Sequence, residues 1–514
     1  MVWKIDNPAA NESGKILWEL VPYTRGRGLD LGCGPNKAFP HMLGVDDLTD
    51  TSLFRIHIQP NIVASCERLD MFGSASMDFV YSSHLLEHIE DHESALKEWW
   101  RLVKPGGHLV LYLPHRDLYP RIGTKGANPD HKHDFAPEDI VTVMKGLGGW
   151  DLLRNEDRNG GQEYSFFQVF KKRSDKKQLY SHRHHVPAKR AAVVRYGAFG
   201  DLIQAASVFP LLKAQGFHTT LYTTPRGWEV VKHDPNIDAV YLQDDDQVPN
   251  HRLPEFWAHE EAKYERFVNL SESVEGTWLA LPDRASGKWP VSMRQKYLNV
   301  NYMEFTQELA EVSGPVRLKF YATEEEKAWA RKERKAMGAD PLIVYALSGS
   351  AVHKVWAGMD GLIARILLEY PEARIVTVGD ELSQMLEAGW QDEPRVVCKA
   401  GKYTIRQTLA LLDVADMVIG PETGVLNAAA NLPMPKVVLL SHSSPENLTK
   451  HWTNTEAIEP VNTSCYPCHR MIYLWNDCHR DDATGTAVCQ ASITLDRVWR
   501  AVHAALMRSE QKAA

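Results

Sequence analysis

The sequence predicts an α/β protein with one Rossmann-like domain at the N-terminus and a pair of such domains after it. Two stretches, RGLDLGCGPNK at 27–37 and AAVVRYGAFGDLIQAASVFPLLKAQG at 191–216, each run from a strand into a glycine turn. Such turns are typical of α/β units that hold a phosphate or nucleotide at the carboxyl end of a strand. From residue 339 onward, apolar strands alternate with helices, as in a parallel doubly wound sheet.

Changes of composition along the chain set the expected domain boundaries. The stretch KKRSDKKQLYSHRHHVPAKR, 171–190, is basic and lacks apolar periodicity, which indicates a linker. Further on, the charged helix ATEEEKAWARKERKAMGA leads into the strand PLIVYALSG, where a new α/β half begins. At 514 residues the chain is too long for one hydrophobic core. We therefore expect a first domain, a linker and two further domains at 1–173, 174–190, 191–338 and 339–514.

The amino-acid composition limits the expected cellular compartment and the expected classes of binding partner. The chain is 44% hydrophobic and 24% charged, and no apolar run approaches the ~20 residues that cross a bilayer, so we expect a soluble protein without a membrane span. The N-terminal residues lack the features of a secretory signal, which predicts a cytoplasmic protein with reduced thiols. A net charge of -8 gives no general attraction to nucleic acid. Small molecules or polar polymers are the expected partners.

Further acidic residues follow the first glycine turn along the chain. The glycines of LDLGCGPNK leave room for a ligand against the backbone, and the aspartate before them can meet an amino or hydroxyl group. MLGVDD then ends a second strand with an acid, and ERLDMF supplies an acid beside an apolar residue. The candidate residues of this unit are Asp30, Gly32, Gly34, Asp46, Asp70 and Met71.

Two later motifs are SMDFVYSSHLLEHIED and EWWRLVKPGGHLVLYLP. Together with these motifs, residues from about 15 to 172 resemble class I S-adenosylmethionine-dependent methyltransferases. The resemblance implies that the turn with Asp30, Gly32 and Gly34 holds the methionyl part of this cofactor. It also implies that Asp46 binds the ribose hydroxyls and that Asp70 and Met71 flank the adenine. Asp46 follows the turn more closely than such acids usually do, which indicates a short first helix.

The methyl acceptor is expected to be a hydroxyl group. The Asn/Asp-Pro-Pro-aromatic signature of methylation at base amino groups is absent, since the fourth strand reads VYSSH. An imidazole is suited to deprotonating a hydroxyl near neutral pH, although most histidines are ordinary surface residues. The candidates are His84, His88, His115, His131 and His133. We favour His131 and His133, which lie in the loop NPDHKHDF before a helix.

The rest of the chain carries a second set of candidate residues. Asp201 follows the glycine turn at a helix start, where an acid can serve as a base or simply cap the helix. Lys354 lies just beyond a strand in ALSGSAVHKVW. In VIGPETGVLNAAANLP, Glu422, Thr423 and Gly424 lie between a strand and a helix start, where free backbone N–H groups bind anions. Together these residues suggest a diphosphate site.

Residues 191–514 resemble the ADP-heptose:lipopolysaccharide heptosyltransferase family, which has the GT-B arrangement of two Rossmann-like domains. The resemblance implies inverting transfer from a nucleoside-diphosphate sugar, such as ADP-heptose, with Asp201 as the general base. Lys354, Glu422, Thr423 and Gly424 would bind the sugar nucleotide and stabilise the departing diphosphate. The chain has Glu422 and Asn427 where the family usually has aspartate and histidine.

Four of the seven cysteines lie within SCYPCHRMIYLWNDCHRDDATGTAVC at 464–489: Cys465, Cys468, Cys478 and Cys489. Cys-Tyr-Pro-Cys-His spells a c-type haem attachment site, but haem attachment and disulfides both require export from a reducing cytosol. A tetrahedral four-thiolate site for zinc or iron does not, and unconnected buried thiols are the alternative. The segment resembles the four-cysteine iron-binding insertion of autotransporter heptosyltransferases, which modify protein. Four protein ligands would make the metal structural.

These observations predict a bifunctional transferase that methylates and glycosylates a glycan or a glycosylated or protein acceptor. One alternative is a glycosyltransferase whose methyltransferase-like domain is an inactive scaffold. The other is a non-enzymatic binding or assembly protein that has kept both folds. The sequence leaves a homo-oligomer open and does not identify the donor sugar or the metal.

Overall fold

The computed structural model describes residues 11–47, 60–174, 189–244, 247–271, 288–471 and 478–513. Its three sheets are mainly parallel and alternate with helices, which confirms the predicted α/β fold class. The chain forms two units, Met1–Val186 with Leu242–Lys263, and Pro187–Tyr241 with Tyr264–Ala514. The predicted linker at 174–190 lies almost wholly outside the described residues. No helix among the residues described here is long and apolar enough to cross a bilayer.

The first unit contains a seven-stranded sheet in the order β3-β2-β1-β4-β5-β7-β6. Its strands are β1 Gly28–Leu31, β2 Leu43–Asp46, β3 Ile62–Val63, β4 Met77–Ser83, β5 Val103–Pro114, β6 Trp150–Arg158 and β7 Ser165–Lys172. β7 runs antiparallel to both β5 and β6, whereas β1 to β5 pair in parallel. The direction of the strand order reverses between β1 and β4, so their carboxyl ends flank a crevice.

Four helices belong to this unit, and two of them, at 92–102 and 137–147, pack on the sheet through apolar stripes. With numbers following the whole chain, the four helices are α1 Leu17–Leu20, α2 His92–Leu102, α3 Pro137–Leu147 and α7 Leu253–Glu261. α2 begins where the carboxylate of Asp91 accepts a hydrogen bond from Ser94 N, a common N-cap. Its buried face includes Trp99 and Trp100, which join the core of the sheet.

The segment 242–263 returns to the first unit after the chain has already entered the second. Asp244 accepts hydrogen bonds from Gly26 N at 2.8 Å and Arg25 Nε at 3.2 Å. Phe256 of α7 is fully buried, with its ring centroid 5.9 Å from that of Trp18. The boundaries expected from the sequence assign this segment to the domain at 191–338. They differ from the structure because a segment that returns to an earlier unit carries no recognisable pattern in the local sequence.

The second unit contains two sheets. The first has the order β10-β9-β8-β11, with β8 Arg190–Val194, β9 His218–Thr223, β10 Ala239–Leu242 and β11 Arg266–Asn269. β8 pairs in parallel with β9 and β11. The helices of this half are α4 Phe199–Ala206, α5 Phe209–Ala214, α6 Pro225–Val231, α8 Val291–Leu298 and α9 Tyr302–Leu309.

The other sheet is parallel throughout, in the order β14-β13-β12-β15-β16-β17. Its strands are β12 Leu342–Ala346, β13 Arg374–Val378, β14 Val396–Cys398, β15 Met417–Pro421, β16 Lys436–Leu439 and β17 Thr455–Ile458. The helices are α10 Glu324–Met337, α11 Met359–Glu369, α12 Glu381–Glu387, α13 Ile405–Leu411, α14 Gly424–Ala429, α15 Val488–Ala491 and α16 Leu495–Ala513. α10 is the charged helix expected from the sequence, and a capping box of Thr323 and Glu326 starts it.

Candidate functional site

A cavity of about 640 Å³ lies at the crevice between β1 and β4 of the first unit. The glycine turn after β1, the end of β2 and the chain after β4 all contribute to its wall. In an open α/β sheet this switch in strand order is where ligands bind. Among the predicted residues, those that line the cavity are Gly32, Gly34, Asp46, His84, His88 and His131.

The glycine turn presents backbone to this cavity and is held from behind by β2. Gly32 and Gly34 have φ angles of 66° and 51°, in the left-handed region that favours glycine. A Cβ at Gly32 would lie 2.9 Å from the Leu85 side chain, whereas nothing lies within 4 Å of one at Gly34. Gly34 N donates to the carboxylate of Asp46 at 2.8 Å. Asp46 therefore both fixes the turn and lines the cavity.

Asp30 lies behind the turn and does not line the cavity. Its carboxylate is buried and accepts a hydrogen bond from Ala38 N at 2.8 Å, so it fastens the chain that follows the glycines. Burial raises the pKa of Asp30 to about 7. The structure thus gives Asp30 a positioning contact.

Asp70 and Met71 are exposed and lie outside the lining of the cavity. β3 is only two residues long, and the chain that follows it brings Ser65, Cys66 and Glu67 to the cavity wall. The acid-plus-apolar pair expected beside the adenine comes later along the chain, with Met71 55% exposed. Its position depends on the path of this loop, which a sequence pattern does not specify.

The candidate histidines divide between the cavity and its surroundings. His84, His88 and His131 line it, whereas His115 and His133 do not. His133 Nε2 is instead 3.1 Å from the carbonyl oxygens of both Ile89 and Glu90. Of the two favoured histidines, only His131 therefore lies at the cavity, where it is 8% exposed.

Glu87, which the sequence reasoning missed, lies at the centre of these histidines. Its Oε1 is 3.7 Å from His84 Nδ1, 3.9 Å from His88 Nε2 and 4.0 Å from His131 Nε2. Burial raises the pKa of Glu87 to about 8 and lowers that of His84 to about 3. Burial also lowers the pKa values of His88 and His131, so the imidazoles are neutral near pH 7 and can accept a proton. The sequence feature that could have indicated Glu87 is an acidic residue between apolar residues in the segment HLLEHIE.

In the second unit, the turns after β8 and β15 meet through two glycines. A Cβ on Gly424 would lie 2.9 Å from Gly200 N, and one on Gly200 would lie 2.5 Å from Asn427 Nδ2. Larger side chains at either glycine would therefore push the turns apart. Both sheets change strand order at these strands, so the glycines bring together the two switch points of the unit.

Asp201 lies in the first turn of α4, where two neighbours hold its carboxylate. Oδ2 accepts a hydrogen bond from Ala198 N at 3.0 Å, and Oδ1 is 3.2 Å from Arg195 Nη2. The Arg195 side chain is only 2% exposed, whereas that of Asp201 is 30% exposed. Since each carboxylate oxygen has two lone pairs, Asp201 can still accept a proton from the open side.

Lys354 is a buried cation at the end of the turn that follows β12. Its side chain packs against Gly349, where a Cβ would lie 2.5 Å from Lys354 Cδ. Within the described ranges, its ammonium forms no ion pair within 4.0 Å and donates no hydrogen bond. Burial lowers its pKa, and the charges of Glu422 and Asp201 oppose that change. Lys354 is thus within electrostatic range of two acids, and its N–H donors are available.

The loop after β16 binds the carboxylate of Glu422. Glu422 accepts hydrogen bonds from Ser441 N at 2.7 Å and Ser443 N at 3.1 Å, and it forms a close ion pair with His442. Burial alone would raise the pKa of Glu422, but His442 and these donors outweigh it and lower the pKa to about 2. Thr423 caps α14 by accepting a hydrogen bond from Leu426 N. Sequence reasoning missed His442, which only the fold brings to Glu422.

A second cavity, of about 720 Å³, lies elsewhere in this unit. Its wall includes the extended chain 316–322, Asn431, His451 and Thr453. None of the predicted sugar-nucleotide residues lines it. The turns after β8 and β15 are in contact through Gly200 and Gly424. The candidate diphosphate site therefore consists of two loops packed against each other in this structure.

The four cysteines of 464–489 lie close enough for their charges to interact. Burial, followed by the charges of the other three sulfurs, raises the pKa of the Cys489 thiol. Burial raises that of Cys478 to about 11 and that of Cys468 to about 12, and the Cys465 sulfur adds to both shifts. Among the described residues, which include all four, no three of these sulfurs lie within 4.8 Å of one another. Four thiols are suitable ligands for a metal ion that binds thiolates, but the distances between the sulfur atoms are larger than those within one coordination shell.

Two contacts fix the first cysteine pair within the unit. Arg294 Nε donates to the carbonyl oxygen of Cys468 at 2.8 Å, and Gln295 Nε2 donates to that of Tyr466 at 3.0 Å. His469 N donates to the carbonyl oxygen of His442 at 2.9 Å. The cysteine segment therefore lies beside the loop that holds Glu422.

Residues 29–111 match the family model described as a methyltransferase domain. The protein is similar in structure to a glycosyl transferase of family 9 from Veillonella parvula, with 16% identity over 63% of this chain and 99% of that chain and a TM-score of 0.47. It is also similar to the iron-containing dodecameric glycosyltransferase TibC from enterotoxigenic E. coli, with 15% identity over 64% and 81% of the two chains and a TM-score of 0.41.

A further structural match is a SAM-dependent methyltransferase from Archaeoglobus fulgidus, with 20% identity over 31% of this chain and 94% of that chain and a TM-score of 0.25. No curated protein matches the sequence. The family-model match lies within the part of the chain that was expected from the sequence to resemble a methyltransferase.

Proposed function

We propose that the protein is a bifunctional transferase that methylates a hydroxyl group and transfers a sugar, with inversion, from a nucleoside-diphosphate sugar. One observation carries the proposal. The glycine turns after β1, β8 and β15 each lie where the strand order of a sheet reverses, and each has titratable side chains beside it. Native mass spectrometry with S-adenosylmethionine and a panel of nucleotide-sugars would identify the ligands directly.

The first unit would bind S-adenosylmethionine along the glycine turn. Gly32 and Gly34 offer open backbone, and Asp46 lies where it can reach ribose hydroxyls. The cofactor, when bound, supplies an electrophilic methyl group. His88 or His131, kept neutral by burial, would accept the proton of the acceptor hydroxyl as that oxygen becomes a nucleophile. The surrounding wall would exclude bulk water from the reacting atoms.

Asp46→Ala is expected to abolish the rise in melting temperature that S-adenosylmethionine gives the wild type. The variant loses both the ribose contact and the acceptor that holds Gly34 N. Cofactor at about 100 times its Kd stabilises a protein by about 2.7 kcal/mol, which thermal unfolding detects easily. Asp70→Ala is the matched control, because this acid is exposed and outside the cavity lining.

The opposite pattern, with the shift lost in Asp70→Ala and kept in Asp46→Ala, would contradict this placement. If S-adenosylmethionine gives the wild type no shift but a nucleotide-sugar does, the first unit is a scaffold. If neither ligand shifts the melting temperature, the protein is a non-enzymatic binding protein.

The second unit would transfer the sugar with Asp201 as the general base. Asp201 is held by Ala198 N and the buried Arg195, and it keeps a side open to an acceptor hydroxyl. Lys354, buried near Thr423, would neutralise charge on the departing diphosphate. Glu422 would act by positioning, since its carboxylate is occupied by the loop after β16. The family resemblance suggests an ADP-heptose-like donor.

The cysteine segment would hold a structural zinc or iron ion through Cys465, Cys468, Cys478 and Cys489. The grouping of the four thiols and the reducing cytoplasm expected for the chain support this proposal. Cys468→Ser is expected to remove one metal per chain, as measured by elemental analysis of purified protein. Cys398→Ser, which alters a cysteine outside the segment, is the control. Equal metal content in the wild type and Cys468→Ser would rule the site out.

The acceptor would be a glycan or a glycosylated or protein substrate. The catalytic groups proposed in both units act on hydroxyls, which such polymers offer in abundance. Assembly into a homo-oligomer is also part of the proposal, and light scattering of the purified chain would test it. TibC, one of the similar structures, is dodecameric.

A further inference from the structure

Glu87, His88 and His131 form a cluster with the spacing of metal ligands. One ligand atom from each of these residues lies within 4.8 Å of the other two. Glu87 and His88 belong to the 3-10 turn Leu86–His88 that follows β4, and His131 comes from the loop before α3. All three side chains line the cavity beside the glycine turn. We call these three residues the Glu87 cluster.

The carboxylate of Glu87 provides an independent indication of a ligand. Its side chain is 1% exposed, yet neither oxygen accepts a hydrogen bond from any described residue. A buried carboxyl group without a partner is costly, and paired charges or metal coordination are the usual solutions. The ring nitrogens of three histidines lie 3.7 to 4.0 Å from Glu87 Oε1, beyond hydrogen-bond distance.

Backbone hydrogen bonds hold the two parts of the cluster together before any ligand is bound. Lys132 N and His133 N donate to the carbonyl oxygen of Glu87 at 2.7 and 3.2 Å. The loop that carries His131 is therefore fastened to the turn that carries Glu87 and His88. His84 is held differently, with its Nε2 2.9 Å from Ser165 Oγ, so it flanks the cluster without belonging to it.

We propose that the Glu87 cluster binds a divalent first-row transition-metal cation through one carboxylate and two imidazoles. This ligand set suits Zn²⁺, Co²⁺ or Fe²⁺, whereas the hard cations Mg²⁺ and Ca²⁺ prefer oxygen alone. Three protein ligands leave a coordination position open, as in catalytic metal sites. Because the cluster lines the cavity, that position faces the space beside the glycine turn.

The site gives the cation a role that rests on the proposed methyl transfer. An acceptor hydroxyl bound at the open position would lose its proton more readily, because the cation stabilises the oxyanion. With His88 and His131 bound to the cation, that proton would pass to solvent water, so the cation would replace the imidazole base proposed above. An acceptor with two neighbouring oxygens, such as the vicinal diol of a sugar, would bind through both oxygens when the cation expands its coordination from four to five. Cation binding itself needs neither S-adenosylmethionine nor an acceptor, so it can be tested separately.

The test is a titration of metal-free full-length protein with Co²⁺ alone, followed by its visible absorption. Cys468→Ser serves as a second parent, because the cysteine segment would also bind cobalt and give a sulfur charge-transfer band. In this parent we expect one Co²⁺ per chain with a d–d band but no sulfur band. Glu87→Gln is expected to remove one equivalent of Co²⁺ from the wild type and from Cys468→Ser.

Glu67→Gln is the matched control, since this acid lines the same cavity but lies outside the cluster. It should bind as much Co²⁺ as its parent. His88→Gln should lose the same equivalent as Glu87→Gln, which covers the case in which one variant fails to fold. Unchanged cobalt binding in folded Glu87→Gln and His88→Gln, or an equal loss in Glu67→Gln, would overturn the site. A site that binds Co²⁺ without any S-adenosylmethionine shift would leave the metal inference standing and remove the proposed methyl transfer.

Discussion

Asp201→Asn is expected to lower kcat for sugar transfer by about 10³-fold while leaving the affinity for nucleotide nearly unchanged. A positioned general base typically contributes about 10² to 10⁴-fold, and asparagine cannot accept the proton. The amide can still accept a hydrogen bond from Ala198 N, so the first turn of α4 should persist. Transfer from ADP-heptose to a panel of glycan and glycopeptide acceptors measures kcat, and calorimetric titration with ADP measures affinity.

Asp380→Asn is the matched control for this experiment. Asp380 also begins a helix of the second unit, α12, where it accepts a hydrogen bond from Ser383 N, and asparagine is an equally good cap. It should transfer sugar at the wild-type rate. If Asp201→Asn instead loses ADP binding while its remaining turnover is normal, Asp201 is a donor-binding residue.

Lys354→Met is expected to weaken ADP binding by roughly 10 to 100-fold. A hydrogen bond to a charged group contributes about 1.5 to 3 kcal/mol, and each 1.4 kcal/mol changes Kd tenfold. Methionine keeps the shape that packs against Gly349 and removes only the charge. Because the buried ammonium carries a desolvation cost in the free protein, the variant should fold at least as stably as the wild type.

Lys436→Met separates the loss of diphosphate contact from the general effect of removing a buried lysine. Lys436 is also buried, and its ammonium donates to the carbonyl oxygens of Leu432 and Met434. This control should lower the melting temperature, because two carbonyl groups lose their donor, but it should bind ADP normally. Equal ADP affinity in Lys354→Met and the wild type would exclude Lys354 from the diphosphate site.

The sequence was most informative where a local pattern has a local physical cause. Gly32 and Gly34 need the left-handed region, and Thr423 precedes a helix start, so their surroundings could be predicted from neighbours in the chain. The alternation of strands and helices likewise predicted the parallel sheets. These are properties of short segments, and the structure retains them.

Residues that depend on the path of the chain could not be predicted in this way. Glu87 owes its significance to the histidines around it, and His442 to a loop that meets Glu422 from another strand. Asp70 and Met71 matched a pattern, but the loop after β3 turns other residues toward the cavity. In each case the deciding contact joins parts of the chain that the sequence does not show to be neighbours.

The return of 242–263 to the first unit means that the two proposed activities cannot be separated by a single cut in the gene. A fragment that stops near residue 173 would lack α7 and expose the aromatic surface that Phe256 covers, including Trp18. The complementary fragment would carry the same helix without its partner. A gene recombination that exchanged the first unit for another would have to replace two separate stretches of the sequence at once. We therefore expect the two units to be inherited together.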